Sequence, residues 1–478
     1  MRSRRIWRGW VMLSKPTTLP LAELLELIID HRGKTPNKLG FDDFFSTGVP
    51  VLSAKHVKTD VLVDVGSMRY ASPEMYKKWM TVEVQEGDII LTSEAPMGEV
   101  FYINDDQKYV LGQRVFGLRP NPSRVNPRYL AAWLASSEGQ NQIAARASGS
   151  TVQGIRQSEL LKLEVDLPSE EEQERIANVR FSVADKVNLN LRINQTLEAI
   201  AQVLFKSWFV DFDPVKAKIA AKAEGRDPLR AAISVISGKS DAELDTLPPE
   251  QYEQFAATAA LFPADMDESE FGEIPRSWAF GVLGDICSFT AGSAFKPEYQ
   301  GSSDGDYPFI KVSDMNLAGN EVFIQSANNY VSKYQQSEMK AKLHPPGATV
   351  FAKIGVALTS NRRRLLTTPT IIDNNLMSAN PVDEKSGQYF LYLMLNAIDF
   401  NTLVSGTALP YINVSDLKKI SIVCPLHEVV LAFEAKVSSI FAMMQTLAAQ
   451  SSTLAATRNI LLPKLLSGEV EVSGILGS

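Results

Sequence analysis

One long internal repeat constrains the fold of this chain more than any other feature. The stretch GSTVQGIRQSELLKLEVDLP (149–168) aligns without a gap on GTALPYINVSDLKKISIVCP (406–425), at an offset of 257 positions. Upstream, four further pairs of similar segments follow in the same order in both halves. VPVLSAKHV corresponds to YPFIKVSDM, EGDIILTSE to PGATVFAKI, YVLGQRVFGLRPN to TIIDNNLMSANPV and RYLAAWLAS to QYFLYLMLN. Solenoid repeats run to about 20–50 residues. A period this long therefore indicates two copies of a whole domain.

Each copy has the pattern of a mixed α+β domain. Short β-branched runs are punctuated by Gly, Pro and Asn, and one helical pattern follows near the end of the copy. The duplication predicts a pseudo-two-fold molecule.

A long helix is predicted after each repeated proline. Ser169 is a good N-cap for the first helix, and Glu172 completes a capping box. Apolar residues recur in steps of three and four over ~40 residues, or roughly 60 Å, which favours a coiled-coil seam over an ordinary amphipathic helix. The predicted seam comprises Ile176, Val183, Leu197 and Leu204 in the first helix and Phe433, Ile440, Leu447, Leu454 and Leu461 in the second. Polar seam positions (Asn190, Ser451, Arg458) are of the kind that fixes register.

The predicted fold class is α+β, with two similar domains separated by a long antiparallel two-helix coiled-coil spacer. The expected bounds are 1–168 for the first domain, 169–209 for the first helix, 210–275 for a connector, 276–425 for the second domain, 426–466 for the second helix and 467–478 for a C-terminal tail.

The composition favours a protein that positions something over one that reacts with it. The four histidines show no ligand spacing, and the HExxH, GxSxG and GxGxxG patterns are absent. Asp88 and Glu94 are not followed by ExK, so a nuclease triad is unsupported. Two cysteines and no apolar run of ~20 residues predict a cytoplasmic chain without a membrane segment. A net charge of -7 argues weakly against wrapping nucleic acid unaided.

Several junction motifs resemble those of one family. LFKSWFVDFDP (204–214), FGEIPRSW (271–278), the GDII box and the junctions LPSEEEQERIA and CPLHEVVLAFEAKV are similar to the specificity (S) subunit of type I restriction-modification systems. The resemblance covers about residues 21–470. The second junction departs from it, because it lacks the Glu-Gln pair of the first.

The resemblance implies a DNA-reading scaffold. Two target recognition domains would each bind one half of a bipartite, interrupted site in double-stranded DNA, and the subunit would have no active site. The implied partners are two methyltransferase (M) subunits and restriction (R) subunits. No cofactor would be bound directly, since S-adenosylmethionine, ATP and Mg²⁺ are used by the partner subunits.

An aromatic cluster stands at the end of the first long helix. Trp208 and Phe209 are expected to pack against the second recognition domain or a methyltransferase subunit; folding back on the connector is the alternative.

Candidate DNA contacts are selected by chemistry, and ordinary solvated surface is the alternative for each of them. They are Arg32, Lys34, Lys55, His56, Lys58, Gln113, Arg114 and Gln153 in the first half, and Lys311, Ser313, Asn361, Arg362, Arg363, Arg364, Asn374, Asn375 and Tyr411 in the second. Asn361–Arg364 is the densest basic run and is expected in a polar turn.

Three alternative functions stay open at this point. They are the specificity subunit of a methyltransferase-nuclease fusion system, a diverged DNA-modifying enzyme and a coiled-coil interaction protein without DNA function. The sequence alone does not define the DNA target or the gap between its halves.

Overall fold

A computed structural model of the chain describes residues 17–149, 152–268, 272–406 and 410–470. The chain divides into two compact units. Unit 1 holds the residues up to Asn188 together with those from Thr453 onward, and unit 2 holds Leu189–Ser452. The basic N-terminal stretch, residues 1–16, and the end of the predicted tail, residues 471–478, lie outside the described residues.

The first of the two repeated domains belongs to unit 1. Its strands are β1 (Thr17–Pro20), β2 (Leu25–Ile29), β3 (Val49–Leu52), β4 (Val57–Lys58), β5 (Val61–Leu62), β6 (Tyr70–Ala71), β7 (Ile89–Thr92), β8 (Val100–Tyr102), β9 (Val110–Leu111), β10 (Val115–Pro120) and β11 (Glu164–Leu167). Its helices are α1 (Leu21–Leu24), α2 (Pro73–Trp79), α3 (Pro127–Leu134), α4 (Ser137–Ala145) and α5 (Gln157–Leu160).

Two sheets form the body of this domain. One has the order β2-β10-β7-β8 and is antiparallel, and the other has the order β6-β3-β9, with β3 and β9 parallel. Strand β7 is buried at all four of its positions, IILT, as expected for a β-branched and apolar run in the centre of a sheet. Helix α3 covers the first sheet with Leu130 and Trp133. A separate pair, β1-β11, brings the two ends of the domain together.

The long helix and the connector follow. Helix α6 spans Glu170–Phe209, and the connector contains α7 (Asp213–Ala223), α8 (Pro228–Ser237), α9 (Asp241–Leu244), α10 (Pro249–Ala260), β12 (Met266–Asp267) and β13 (Ile274–Pro275). The Ser169 hydroxyl accepts a hydrogen bond from the Glu172 amide (3.3 Å), which is the predicted N-cap contact.

The second of the two repeated domains belongs to unit 2. Its strands are β14 (Ala279–Val282), β15 (Cys287–Ala291), β16 (Tyr307–Ile310), β17 (Phe323–Ile324), β18 (Tyr330–Val331), β19 (Thr349–Ala352), β20 (Arg363–Leu366), β21 (Ile371–Ile372), β22 (Leu376–Pro381) and β23 (Ser421–Cys424). Its helices are α11 (Leu283–Ile286), α12 (Lys333–Met339), α13 (Val356–Thr359), α14 (Gln388–Ala397) and α15 (Val414–Lys418), and the second long helix, α16 (His427–Leu466), comes after it.

The second domain repeats the topology of the first. The order β15-β22-β19-β20 corresponds to β2-β10-β7-β8, β18-β16-β21 corresponds to β6-β3-β9, and β14-β23 corresponds to β1-β11. A short fifth strand, β17, is added in parallel beside β20. The duplication predicted from the 257-residue offset is therefore confirmed as a repeat of fold.

The two long helices pack against each other in antiparallel orientation inside unit 2. The Asn190 side-chain amide donates to the Ser451 hydroxyl (3.2 Å), and Asn194 donates to the Met444 carbonyl oxygen (3.1 Å), so partner numbers fall as residue numbers rise. In α16 the most buried stripe is Phe433, Val437, Phe441, Met444, Ala448 and Ser451. The predicted seam residues Ile440 and Leu447 are half-buried at its edge.

In unit 1 the remaining parts of both helices join the core of the first domain. Ile176 is fully buried there with Leu462 and Leu465. The other predicted seam positions, Val183, Leu454 and Leu461 in unit 1 and Leu197 and Leu204 in unit 2, are half-buried. By length and composition α16 is apolar enough to cross a membrane, but buried residues of this helix belong to the protein cores of both units.

The aromatic cluster lies in the core of unit 2. The Phe209 ring lies 4.9 Å from Phe390 and 5.0 Å from Phe433, centroid to centroid, and Trp208 lies edge-on to Phe262 of the connector at 5.1 Å. The ring cluster thus contacts the second domain and the connector together. The expectation that it forms a surface for a methyltransferase subunit is wrong, because both side chains are buried.

Candidate nucleic-acid interface

A hydrogen-bonded loop frame marks one concave face of the first domain. Ser148 and Gly154 exchange backbone hydrogen bonds at 2.9 and 3.0 Å and so close a loop. The Ile155 amide donates to the Ser93 carbonyl oxygen (2.9 Å), and the Ser93 amide donates to the Arg114 carbonyl oxygen (2.8 Å). These bonds bring together three segments that are distant in sequence.

The second domain contains the same frame. Ser405 and Tyr411 exchange backbone hydrogen bonds at 3.0 and 2.9 Å. The Ile412 amide donates to the Lys353 carbonyl oxygen (3.0 Å), and the Lys353 amide donates to the Asn375 carbonyl oxygen (2.9 Å). The frame therefore places Asn375 where the first domain has Arg114, which is the correspondence read from the repeat.

Side chains on the two frames differ in charge. In the first domain, Glu94 forms an isolated bridge with Gly154 and its carboxylate pairs with the Arg114 guanidinium at 3.0 Å. In the second, Ile354 forms the bridge with Tyr411. The same backbone frame therefore carries a carboxylate and a guanidinium in the first domain. In the second domain it carries an aliphatic side chain, an amide and a phenol.

A polar depression of about 180 Å³ opens beside the first frame. It is lined by Arg32, Ser93, Glu94, Ser148, Val152, Gly154, Ile155 and Arg156. Arg32 lies over the Phe116 ring, 3.9 Å from guanidinium carbon to centroid, and pairs with Asp30 at 2.8 Å. These contacts orient one guanidinium before any ligand arrives. Arg donors and carboxylate acceptors are groups that distinguish base pairs in the major groove.

Several candidate residues lie on the surface near these frames or elsewhere in the domains. Gln113, Arg114, Gln153, Asn374, Asn375, Tyr411, Ser313 and Lys55 are exposed. Lys58 pairs with Glu99 at 3.1 Å, and half-buried Lys311 donates to the Gln300 side chain at 2.6 Å.

Two candidates of the first domain are held by contacts within the protein. His56 is buried, its Nδ1 lies 3.1 Å from the Ser53 hydroxyl, and burial lowers its pKa. Lys34 donates to the Trp79 carbonyl oxygen at 2.5 Å, and burial lowers its pKa as well. The expectation that His56 is available to DNA is therefore wrong, whereas Lys34 is half-buried and stays a candidate contact.

The basic run of the second domain is also largely structural. Arg363 begins strand β20 and is 1% exposed; it lies over the Phe400 ring at 3.9 Å and donates to the Ile398 carbonyl oxygen at 2.8 Å. Burial lowers its pKa to about 10. Arg364 donates to the Met315 carbonyl oxygen (3.2 Å), and the Asn361 side chain accepts from the Phe400 amide (3.1 Å). Only Arg362, which is half-buried beside Asn316, stays a candidate contact.

Sequence reasoning missed two of the three charged residues that line the depression, Glu94 and Arg156. Arg156 lies inside the repeated GIRQ segment, and that position was a readable signal. Glu94 was considered only with Asp88, as part of an unsupported nuclease triad, and was not predicted to contact DNA. Asp88 instead is fully buried and accepts two hydrogen bonds from Arg119 at 2.8 Å each, whereas Glu94 borders the depression. Within the described ranges no group of three or more His, Cys, Asp or Glu is placed to hold a metal ion.

The chain matches the family model described as "Type I restriction modification DNA specificity domain" over residues 16–199 and 275–456. It therefore belongs to this family, a family of DNA-recognition subunits that are not themselves catalytic. The predicted family resemblance is confirmed.

Two relatives with similar sequences agree with this assignment. The type I restriction enzyme HindI specificity subunit of Haemophilus influenzae is 32% identical over 411 residues, which cover 81% of this chain and 87% of that protein. The MjaIX specificity subunit of Methanocaldococcus jannaschii is 27% identical over 391 residues, covering 81% and 78%. A crystal structure of a type I S subunit from M. genitalium covers 96% of this chain and 98% of that chain, at 14% identity and a TM-score of 0.48.

Proposed function

We propose that the chain reads a bipartite, interrupted DNA target through its two loop frames, one half-site for each recognition domain. The observation that carries the proposal is the repeated frame with different side chains. A shared backbone supports a common way of approaching DNA, and different side chains support different half-site sequences. The target would then be asymmetric.

The contacts we assign to base reading are those around the frames. In the first domain they are Arg32, Glu94, Arg114, Gln153 and Arg156, and in the second they are Asn374, Asn375 and Tyr411. Arginine and carboxylate discriminate G·C pairs through donor and acceptor groups, whereas amide side chains match adenine. Lys55, Lys58, Lys311 and Arg362 are assigned to phosphates, which position the protein without reading sequence.

The proposed partners are methyltransferase subunits, two per chain, and restriction subunits. S-adenosylmethionine, ATP and Mg²⁺ would be used by those subunits. The acidic net charge of -7 is compatible with this arrangement because partners would neutralise most of the phosphates. Free Cys287 and Cys424 fit a reducing cytoplasm. No observation favours the fusion-system, diverged-enzyme or interaction-only alternatives.

Methylation mapping of the reconstituted complex tests the proposal. Arg114 has a φ of 68°, so Arg114→Asn is chosen because Asn tolerates this conformation and imitates Asn375. We expect this variant to relax one position in one half-site, by roughly tenfold or more, and to leave the other half unchanged. Tyr411→Ala should affect the opposite half only.

Lys108→Ala is the matched control, since Lys108 is an exposed cation that pairs with Glu83 and does not line the depression. The control should keep both half-sites. Equal effects of Arg114→Asn and Tyr411→Ala on both half-sites, or no effect of either, would remove the frames from base reading.

A further inference from the structure

One arginine of the depression, Arg32, is held in place by two other side chains of the first domain. Asp30 directly follows strand β2, and its carboxylate accepts hydrogen bonds from the Arg32 Nε (2.9 Å) and Nη2 (2.8 Å). The Arg32 backbone amide donates to the same carboxylate at 3.0 Å. The guanidinium carbon lies 3.9 Å from the ring centroid of Phe116 in strand β10. The carboxylate therefore fixes the direction of the guanidinium, and the ring restricts its rotation.

One edge of this guanidinium is left for a ligand. Asp30 takes the edge formed by Nε and Nη2, and Nη1 has no hydrogen-bond partner among the residues that the structure describes. The edge formed by Nη1 and Nη2 therefore keeps two N–H donors in one plane. The Arg32 side chain is 31% exposed and lines the depression, so a ligand that enters there can meet both donors.

The acid beside Arg32 favours a base edge over a phosphate as this ligand. Burial raises the pKa of Asp30, but hydrogen bonds from Arg32 bring that pKa below its usual value, so the carboxylate is ionised at neutral pH. The pair carries no net charge, and a phosphate at this guanidinium would also approach the Asp30 carboxylate. A base edge is uncharged and avoids that repulsion. In the major groove only guanine presents two neighbouring acceptors, O6 and N7, which match two donors on one guanidinium.

The second domain carries different residues at the corresponding positions. Ile29 pairs with Gly117 in one domain and Thr290 with Ser378 in the other, and Gly117 and Ser378 are aligned in the repeat. The corresponding residues are therefore Ala291 for Asp30, Ser293 for Arg32 and Met377 for Phe116. These three side chains are neither charged nor aromatic, so the effect of this arrangement should be confined to one half-site.

We propose that Arg32 reads a guanine in the half-site of the first domain, and that Asp30 and Phe116 are positioning residues for this contact. This role rests on the proposed function. It adds the identity of one base and two residues that act on DNA only through Arg32.

Relative affinities of the reconstituted complex for a set of duplexes test the assignment. The set contains the target mapped for the wild type, with each position of both half-sites changed in turn to the other three base pairs. Arg32→Gln should remove the preference for one G·C pair, by about tenfold or more, because an amide matches adenine and not guanine. The half-site that Tyr411→Ala affects should be read as in the wild type.

Arg69→Gln is the matched control, because it makes the same chemical change at a similar arginine of the same domain. Arg69 also lies over a ring, that of Phe44 at 4.3 Å, and pairs with Asp43 at 3.7 Å, but it does not line the depression. This variant should keep the preference at every position.

Asp30→Ala separates positioning from charge, and alanine is chosen because Ala291 occupies the corresponding position. The preference for the same guanine should fall, because the released guanidinium must be ordered on binding. Affinity for unrelated DNA should not fall, because an acid has been removed. A phosphate contact predicts the opposite result, with stronger binding to every sequence and unchanged base preferences. Arg32→Gln decides the guanine assignment even if Asp30→Ala does not fold.

The assignment is overturned if Arg32→Gln keeps every preference of the wild type, weakens all sequences equally, or relaxes a position that is not a G·C pair. It is also overturned if Arg69→Gln relaxes the same position. Asp30 has no positioning role if Asp30→Ala keeps the full guanine preference. In each case the proposed function stands as long as Arg114→Asn and Tyr411→Ala act on opposite half-sites. A wild-type complex without sequence preference in either half-site would overturn both.

Discussion

Phe209→Ala is expected to destabilise unit 2 strongly. Phe209 is 6% exposed, and its ring lies within 6.2 Å of five other rings, those of Phe205, Trp208, Trp278, Phe390 and Phe433. Removing a Phe side chain from such a core costs ~3–5 kcal/mol, because apolar burial is lost and the surrounding rings only partly fill the cavity. For a unit of this size that is roughly a 10 °C fall in Tm.

The measurement is thermal unfolding of the lone chain followed by tryptophan fluorescence, since Trp208 and Trp278 both contact Phe209. Val203→Ala is the matched control: Val203 is on the same helix but 66% exposed, and its truncation should change stability by no more than about 0.5 kcal/mol. The reasoning is refuted if Phe209→Ala costs less than about 1 kcal/mol. A variant that keeps its Tm but loses the methyltransferase subunit would instead restore the partner-surface interpretation of the cluster.

Three further outcomes are expected. Arg363→Ala should lower Tm, whereas Arg362→Ala should leave Tm unchanged. Arg362→Ala should instead weaken DNA binding across all sequences and make that binding less dependent on salt. The reverse pattern would contradict the burial of Arg363. Asn190→Leu should raise the free energy of unfolding, measured by urea titration, by about 1 kcal/mol, because the buried side-chain oxygen of Asn190 has no hydrogen-bond partner among the described residues. Exposed Gln195→Leu is the control, and a clear loss of stability in Asn190→Leu would show that the amide bonds to Ser451 and Gln450 outweigh this defect. Burial lowers the pKa of His344 from 6.5 to about 4, so the unfolded chain binds a proton more readily than the folded one. The free energy of unfolding should therefore fall by roughly 2 kcal/mol as the pH is lowered from 6.5 to 5. Urea unfolding of His344→Gln should show a smaller fall, and an equal fall would exclude this histidine as its source.

Much of the fold was predictable because repetition and periodicity are properties of the chain itself. The 257-residue offset predicted two domains of one topology, and both frames close at corresponding residues, Ser148 with Gly154 and Ser405 with Tyr411. The 3–4 spacing of apolar residues predicted α6 and α16, which the structure forms as two 40-residue helices. The junction motifs also predicted the family, which the match over both halves confirms.

Tertiary structure alone decided which polar residues are available for function. The sequence presents Arg362, Arg363 and Arg364 as one basic run, but alternation along a strand and the approach of Phe400 place Arg363 in the core. No sequence pattern marks Asp60, but the folded chain sets it between Arg180 and Arg458, which are more than 100 positions away. Burial and ion pairing depend on side chains contributed by distant segments, and local pattern records only the neighbours along the chain. The helices and the repeat were therefore readable from the sequence, whereas the surface that meets DNA and the ion pairs of Asp60 required the fold.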